Sequence, residues 1–282
     1  MSKFVVLGSK GTIGSALVKK LVKYQKNVIH TTRENLDATN FDSIRKIVQE
    51  NPDSVFINCI AFMPADKCET EIVASESINY KFVDQITKEI AKFSNSKFIQ
   101  LSTDFIFDGK TNIPYSTVSK PNPINVYGKH KMLAEKAVEE NLNDQAQIIR
   151  FASLVAKTGK GNTFIEKISQ RAIEQGKINV VEDLKISIAT SALVIESILQ
   201  ASEFPSFGIH HAVHEGVTTW YELAKLTLEL EGIEAQIKPI SHLDLNLPAA
   251  RPQYSALQPS STFENTKLDW KEAVTNYLGS YE

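Results

Sequence analysis

The chain has 282 residues and a mass of 31.4 kDa, with 42% hydrophobic and 23% charged residues, and its 31 Lys and Arg against 33 Asp and Glu give a net charge of −2. That length buries a substantial core as one large domain or two intimate ones, and charges interspersed without a basic block argue against bulk nucleic-acid binding. The opening apolar run, Phe4 to Leu7, is too short for a signal segment or a membrane span, so the cytoplasm and no membrane partner are expected.

Lys3 to Leu7 reads as a buried strand running into Gly8-Ser9-Lys10-Gly11-Thr12-Ile13-Gly14, after which Ser15 to Tyr24 has helical apolar spacing at Leu17, Val18, Leu21 and Val22. Strand, glycine turn and helix together suit a dinucleotide. The turn needs a residue without Cβ, the backbone must approach a pyrophosphate, and the helix must pack close to the strand. Gly8, Gly11 and Gly14 meet those needs, and the phosphates would rest on the amides of Thr12 and Ile13 at the helix N-terminus. A tight turn without a ligand is the plainer alternative. Asn27 to Thr32 is a second strand, and Thr31-Thr32-Arg33 at its end offers a base and no acid. An arginine there suits a ribose 2′-phosphate and an acid suits a free 2′-hydroxyl, so Arg33 points to NADPH, with NADH the alternative. Leu36-Asp37 reads as a short third strand with Asp37 toward an adenine amino group, and Phe41 to Glu50 as an amphipathic helix.

Ser54 to Cys59 is the next strand, and the small Ala61 beyond it lets its carboxyl end pass close to a cofactor. Ile72 to Phe93 reads as one long helix containing Asn79, a residue that mid-helix is usually solvated or a mild defect. Lys97 to Ser102 is a strand that puts Thr103 at its carboxyl end, where open parallel sheets bind ligands. The proline-bearing stretch Asp108 to Val126 is a loop, Tyr127 to Glu140 a helix and Gln147 to Phe151 a strand. Strand alternating with helix through this half means an α/β fold with a doubly wound parallel sheet. Beyond it the pattern loosens, with helices at Thr163 to Glu174, Thr190 to Ala201 and Trp220 to Glu231, strands at Asn179 to Val181 and Gly208 to Val213, and an irregular stretch from Leu243 to Ser261. His210, His211 and His214 alternate faces without an acidic partner and read as structural, while Cys59 and Cys68 lack the spacing of a zinc site. No metal is expected.

The densest chemistry lies at Ser102-Thr103-Asp104 and Tyr127-x-x-x-Lys131. A free phenol titrates near pH 10, roughly three units above neutrality, so it needs help to exchange protons. Four residues on along a helix, Lys131 lies on the same face, and its charge favours the phenolate. A Tyr and a Lys at this spacing also fit a solvated helix face, so the surrounding chain decides.

Taken together, these motifs resemble the extended short-chain dehydrogenase/reductase superfamily and, within it, the dTDP-4-dehydrorhamnose reductase family. The resemblance runs over nearly the whole chain. It rests on the three glycines, Asn58-Cys59-Ile60-Ala61-Phe62 with Asp66-Lys67, Ser102 through Gly109, Pro123 through Gly128 with Lys131, Gly208-Ile209-His210-His211, Thr219 through Ala224, and Arg251-Pro252 with Ser255 and Leu257. It implies a Rossmann-like dinucleotide-binding domain over 1–152, completed by about 178–214, interleaved with a smaller carboxyl-terminal substrate-binding part over 153–282. The implied activity is NAD(P)H-dependent reduction of the 4-keto group of a nucleotide-activated deoxysugar. By the same resemblance Thr103 bonds the keto oxygen, Tyr127 delivers the proton, and Lys131 holds the nicotinamide ribose and lowers the Tyr127 pKa. Asn79 matches a residue near the active site, Arg251 would neutralise the substrate diphosphate, and Asp104 and Phe105 would border the sugar.

Three departures bear on the substrate. Phe105 stands where the family usually has tyrosine, Arg150-Phe151-Ala152-Ser153-Leu154 lacks the usual tryptophan, and Ile186-Ser187-Ile188-Ala189-Thr190 replaces a Gly-x-Pro-Thr element. Two other readings remain at this point: a non-catalytic NADP-binding regulatory subunit resembling the methionine adenosyltransferase β subunit, and a nucleotide-sugar epimerase-reductase, for which Cys59 and His130 are the only loose candidates for an extra acid/base pair. Some relatives form homodimers through a divalent cation held by glutamates. No matching glutamate cluster stands in this sequence, so a homodimer is left open.

Overall fold

The computed structural model describes residues 3–280. In chain order the first half contains β1 (Lys3–Leu7), α1 (Thr12–Lys23), β2 (Asn27–His30), α2 (Phe41–Gln49), β3 (Ser54–Asn58), α3 (Ala65–Thr70), α4 (Ile72–Glu76), a π-turn (Ser77–Lys81), α5 (Phe82–Ile90), β4 (Lys97–Thr103), α6 (Val126–Leu142) and β5 (Ala146–Phe151). The second half contains β6 (Leu154–Val155), α7 (Phe164–Gln175), β7 (Lys177–Val181), β8 (Ala189–Thr190), α8 (Ser191–Ala201), β9 (Gly208–His211), α9 (Trp220–Leu230), β10 (Gln236–Ile240) and α10 (Trp270–Gly279). Six strands form one parallel sheet in the order β2-β1-β3-β4-β5-β9. The strand order reverses beside β1, so a crevice opens at the carboxyl ends of β1 and β3.

Alternation along the strands divides the core. Phe4 and Val6 of β1 pack with Leu17 and Leu21 of α1 and Ile195 and Ile198 of α8 on one face. Val5 and Leu7 pack with Ile44 and Val48 of α2, Phe82 and Ile86 of α5, and Ala134 and Val138 of α6 on the other. This is the Rossmann-like, doubly wound architecture. The remaining helices α7, α9 and α10 build two smaller cores around Ile165, Leu223 and Trp270, and around Ile168, Ile178 and Leu228.

Two sequence expectations are corrected and three elements are added. Leu36-Asp37 is not a strand: the Leu36 N–H closes a turn onto the Thr32 carbonyl at 3.0 Å, burying Leu36 and leaving Asp37 exposed. The helix from Ile72 to Phe93 is two helices joined by the π-turn, and it ends at Ile90. β10 was not foreseen because Pro239 interrupts a short, largely exposed run, yet it pairs in parallel with β7 from Gln236↔Lys177 to Ile240↔Val181. α3 and α10 were also missed; α10 is capped by Asp269 and buries Trp270, Val274 and Tyr277.

Candidate active site

At the glycine turn two of the three glycines are demanded by the chain itself. A Cβ on Gly14 would lie 2.4 Å from the Gly8 carbonyl oxygen, and Gly8 has φ +81 with Ile60 only 2.9 Å from where its Cβ would be. Gly11 differs, because a Cβ there would meet only the Gly8 oxygen at an ordinary 3.5 Å. Glycine at position 11 therefore keeps space open in front of α1. Helix α1 starts there with no side-chain cap and no acid in its first turn, leaving N–H groups directed at that space. Uncapped amides plus room for close backbone approach fit the phosphates of a dinucleotide.

At the end of β2, Arg33 is exposed and Glu34 forms an exposed ion pair with Lys10 at 2.7 Å. The acid beside Arg33 is thus turned toward another cation. Asp37 accepts from the Thr39 N–H at 2.8 Å and the Thr39 hydroxyl at 2.7 Å, so its carboxylate is engaged within its own turn.

Ala61 is exposed just past β3, on a segment pinned from below by Asn79. The Phe62 N–H donates to Asn79 Oδ1 at 2.8 Å, and Asn79 Nδ2 donates to the Phe62 carbonyl at 3.1 Å and to Ser75 Oγ at 3.2 Å. The π-turn supplies what a regular helix lacks here, an inward-facing position for a fully buried amide. Ser75 in turn shares a 2.9 Å bond with His130 Nδ1 of α6. Asn79 is therefore a positioning element for the Ala61 segment rather than a solvated defect.

Thr103 closes β4 and Tyr127 lies in the first turn of α6. Asn125 caps that helix, accepting from the Gly128 N–H at 2.7 Å and donating to the Ala250 carbonyl at 2.9 Å, while Glu69 accepts from the Val126 N–H at 2.8 Å. Gly128 lets the helix touch the segment after Thr103: a Cβ there would sit 2.0 Å from the Phe105 carbonyl oxygen. Tyr127 is buried, and burial, with the Asp104 carboxylate and Cys68 nearby, pushes its pKa above the ordinary tyrosine value, while a hydrogen bond with Thr103 opposes the rise. Lys131, also buried, donates to the Leu101 carbonyl at 2.5 Å, and burial pulls its pKa down to about 8 with Glu135 pulling the other way. The expectation that Lys131 depresses the phenol is thus not what the protein's own side chains produce. A raised pKa nevertheless keeps the phenol protonated at neutral pH, which is what a proton donor requires.

Phe105 is half-buried, meets Tyr127 edge-on at 6.1 Å between ring centres, and lies 5.9 Å from the Arg251 guanidinium. Arg251 donates to Asp66 Oδ2 at 2.7 Å and to the Ala249 carbonyl. Burial would raise the Asp66 pKa, but Arg251 and the Ala249 N–H outweigh it and hold it below the usual range. Arg251 is therefore already matched by a carboxylate, and any diphosphate would have to share it. Sequence reasoning gave no role to Asp66, Glu69, Asn125 or Gly128. The helix-start pattern Asn-Val-Tyr-Gly was a usable signal for Asn125; Asp66 stood out in Asp66-Lys67, but nothing in the spacing tied it to Arg251, 185 positions away.

The histidines have other partners: His210 with Gln147 at 2.9 Å, His211 with the Gln258 carbonyl at 3.0 Å and His214 with Thr190 at 3.0 Å. A groove of about 1080 Å³ begins at Gly11 and Thr12 and runs between α1, α8 and the loop carrying Lys157 and Lys160. Thr103, Tyr127 and Lys131 do not line it. Thr103 and Tyr127 meet away from this cavity, with Lys131 one turn further along α6 and bonded to the Leu101 carbonyl. No helix among the described residues is long and apolar enough to cross a membrane.

Known proteins resemble the chain over its full length. It is 30% identical over 284 residues to a dTDP-4-dehydrorhamnose reductase of Streptomyces griseus, covering 97% of this chain and 92% of the relative. It is 27% identical over 256 residues to a dTDP-4-keto-6-deoxy-D-glucose reductase of Streptomyces niveus, covering 90% and 88%. A crystal structure of the dTDP-4-dehydrorhamnose reductase of Bacillus anthracis in complex with NADP superposes with a TM-score of 0.91 at 26% identity, covering 99% of this chain and 100% of that one. The family model described as the RmlD substrate binding domain matches residues 2–282, and the chain belongs to that family.

Proposed function

We propose that the protein is an NADPH-dependent oxidoreductase that reduces the 4-keto group of a nucleotide-activated deoxysugar, in the manner of the dTDP-4-dehydrorhamnose reductases it resembles. The observation that carries this reading is the meeting of Thr103, from the end of β4, with Tyr127, from the start of α6, one turn before a buried Lys131. Bound NADPH supplies the hydride. The chain's own residues do the rest. The open N-terminus of α1 at Gly11, Thr12 and Ile13 would hold the cofactor phosphates, Gly8 and Gly14 hold the turn, and the exposed Arg33, beside a Glu34 paired with Lys10, would meet the 2′-phosphate. Asp37 borders the adenine side, and Ala61, steadied by Asn79, borders the cofactor.

Thr103 and Tyr127 hydrogen-bond the keto oxygen, and Tyr127 gives up its proton as negative charge develops there. The raised phenol pKa keeps the donor loaded before hydride arrives, and the alkoxide that develops on the keto oxygen takes its proton. Lys131 remains largely charged at neutral pH and steadies the nicotinamide ribose beside the phenol. Phe105 and Arg251, with Asp66 behind, form the wall that the sugar nucleotide contacts. The aromatic ring without a hydroxyl at position 105 fits a sugar face lacking a polar group.

The test is a NADPH-oxidation screen, repeated with NADH, against 4-keto-6-deoxysugars carrying dTDP, UDP, GDP or CDP. Turnover with at least one sugar is expected, and Tyr127→Phe should lower kcat by about a thousandfold with bound-cofactor affinity largely retained. Near-normal turnover in Tyr127→Phe would remove the assigned proton donor.

A further inference from the structure

The hydroxyl of Thr103 has one proton and two lone pairs. One lone pair takes the Phe105 N–H at 3.2 Å, and the single proton is directed at Asp104 Oδ1 at 3.0 Å. In this arrangement Thr103 has nothing to donate to a substrate oxygen. The arrangement reverses if Asp104 is the donor. Its carboxyl proton then occupies the second lone pair, and the Thr103 proton is left pointing at the remaining direction, toward Tyr127 and the reacting centre. Resting on the reduction reading above, we infer that Asp104 is a positioning residue whose carboxyl proton turns the Thr103 hydroxyl into a donor for the keto oxygen.

The surroundings of Asp104 favour that state. Its residue is 5% exposed at the end of β4. Burial is the largest influence on it and pushes its pKa up to about 6, against hydrogen bonds from Ser255, Thr103 and the local backbone. The groups facing it are the Thr103 hydroxyl on its own segment, the Ser255 hydroxyl from the carboxyl-terminal stretch, and the Tyr127 phenol from α6. The nearby cations have other anchors: Lys131 on the Leu101 carbonyl and Arg251 on Asp66. A carboxyl in a dry site keeps its proton to higher pH than a free aspartate does, and a sugar nucleotide covering the site removes still more water and extends that range upward. The bond from Ser255 joins this switch to the segment that also carries Arg251, so the same stretch that walls the substrate pocket sets the protonation of Asp104.

The sign follows from the active form. If protonated Asp104 is required, kcat is highest below its pKa of about 6 and falls as pH rises through it, by about a hundredfold between roughly pH 5 and pH 8. In Asp104→Asn the amide donates to Thr103 and accepts from Ser255 at every pH. This variant should turn over at least about tenfold faster than Asp104→Ala and lose the pH dependence. Ser255→Ala removes a bond that favours the carboxylate, so the fall in kcat should move to higher pH. A purely structural Asp104 would give none of these displacements. Infrared difference titration of the protein without substrate should reveal a carboxylic-acid carbonyl band persisting to about pH 6, absent in Asp104→Asn. Asp104→Asn as slow as Asp104→Ala, or an infrared band titrating in the ordinary aspartate range, overturns the inference. Absence of turnover with every keto sugar is instead the failure of the reduction reading, recognisable because the infrared titration needs no substrate.

Discussion

The two halves of the molecule hold their functional groups by different means. In the amino-terminal half, backbone fixes the site: Thr103 sits where strand register ends it, and Gly14 and Gly128 press backbone against backbone with no room for a methyl group. In the carboxyl-terminal half, irregular segments are gathered around single carboxylates, with Asp66 holding Arg251 and Ala249, Asp183 holding Ser241 and His242, and Glu166 holding the loop before α7. Chemistry common to a fold rests on the first kind of support, and substrate preference on the second, which can change one side chain at a time. A substitution in the first region should damage stability and turnover together. One in the second should act locally.

The largest expected effect tests the first half at its most buried charge. Glu135 of α6 takes three hydrogen bonds from Arg150 of β5, the shortest 2.7 Å, with the two side chains 7% and 2% exposed. Arg150 also reaches the Thr117 carbonyl and lies over the Phe107 ring, so the pair braces α6 against both the sheet and the loop that follows β4. Glu135→Ala leaves a buried guanidinium without its carboxylate and should cost about 3–5 kcal/mol by chemical denaturation. Because Glu135 also supports the charge on Lys131, the variant should lower the Lys131 pKa further and weaken cofactor binding at neutral pH. Loss of stability with unchanged cofactor affinity would separate the two roles and break the expected coupling.

Gly128→Ala should come next. The added methyl would stand 2.0 Å from the Phe105 oxygen and 2.8 Å from its carbonyl carbon, contacts that only a backbone shift relieves. Overpacking of this kind costs about 1–3 kcal/mol. Since the displaced backbone is that of Phe105, two residues past Thr103, and of position 128, next to Tyr127, kcat should fall by roughly a hundredfold, the usual penalty for an ångström of misplacement. A variant that unfolds at the wild-type denaturant concentration and keeps full turnover would contradict the view that backbone contact sets this site.

This division also explains what could be read from the residues alone. β1, the glycine turn and α1 are local: their pattern is written within twenty-odd consecutive positions, and the sheet follows from the alternation of such units. Thr103 was legible because the strand ends where polarity returns. β10 was not, since a short exposed run with a proline gains its order only from β7, some sixty residues away in the chain. The same holds for Asp66, which sequence spacing cannot connect to Arg251, and for Gly128, whose requirement is a contact with Phe105 rather than a turn. The π-turn that turns Asn79 inward likewise has no periodic signature, because one inserted position shifts the helix phase only locally.

The smallest effect is expected at Glu166, the carboxylate hub of the second half. It closes a capping box with Thr163 at the start of α7, and it also accepts from the N–H groups of Thr158 at 2.6 Å, Gly159 at 2.7 Å and Asn162 at 3.1 Å. Burial would raise its pKa, but the N–H groups and hydroxyls of Thr158 and Thr163 hold it down to about 2. A carboxylate whose pKa is depressed on folding contributes stability above its unfolded pKa, about 4.3, and loses it as pH falls toward the folded value. Glu166→Ala should therefore cost about 1 kcal/mol near neutral pH, in line with loss of a helix cap. The gap in Tm from wild type should narrow steadily as pH is lowered from about 5 to about 2. At saturating NADPH kcat should change little, because the loop that Glu166 orders borders the groove along α1, on the proposed cofactor-phosphate side, and not the Thr103–Tyr127 centre; the effect expected there is a higher KM for NADPH. A large loss of turnover without a matching loss of stability would mean that this loop reaches the substrate, and the contrast between a backbone-set reacting centre and a side-chain-set periphery would have to be redrawn at α7.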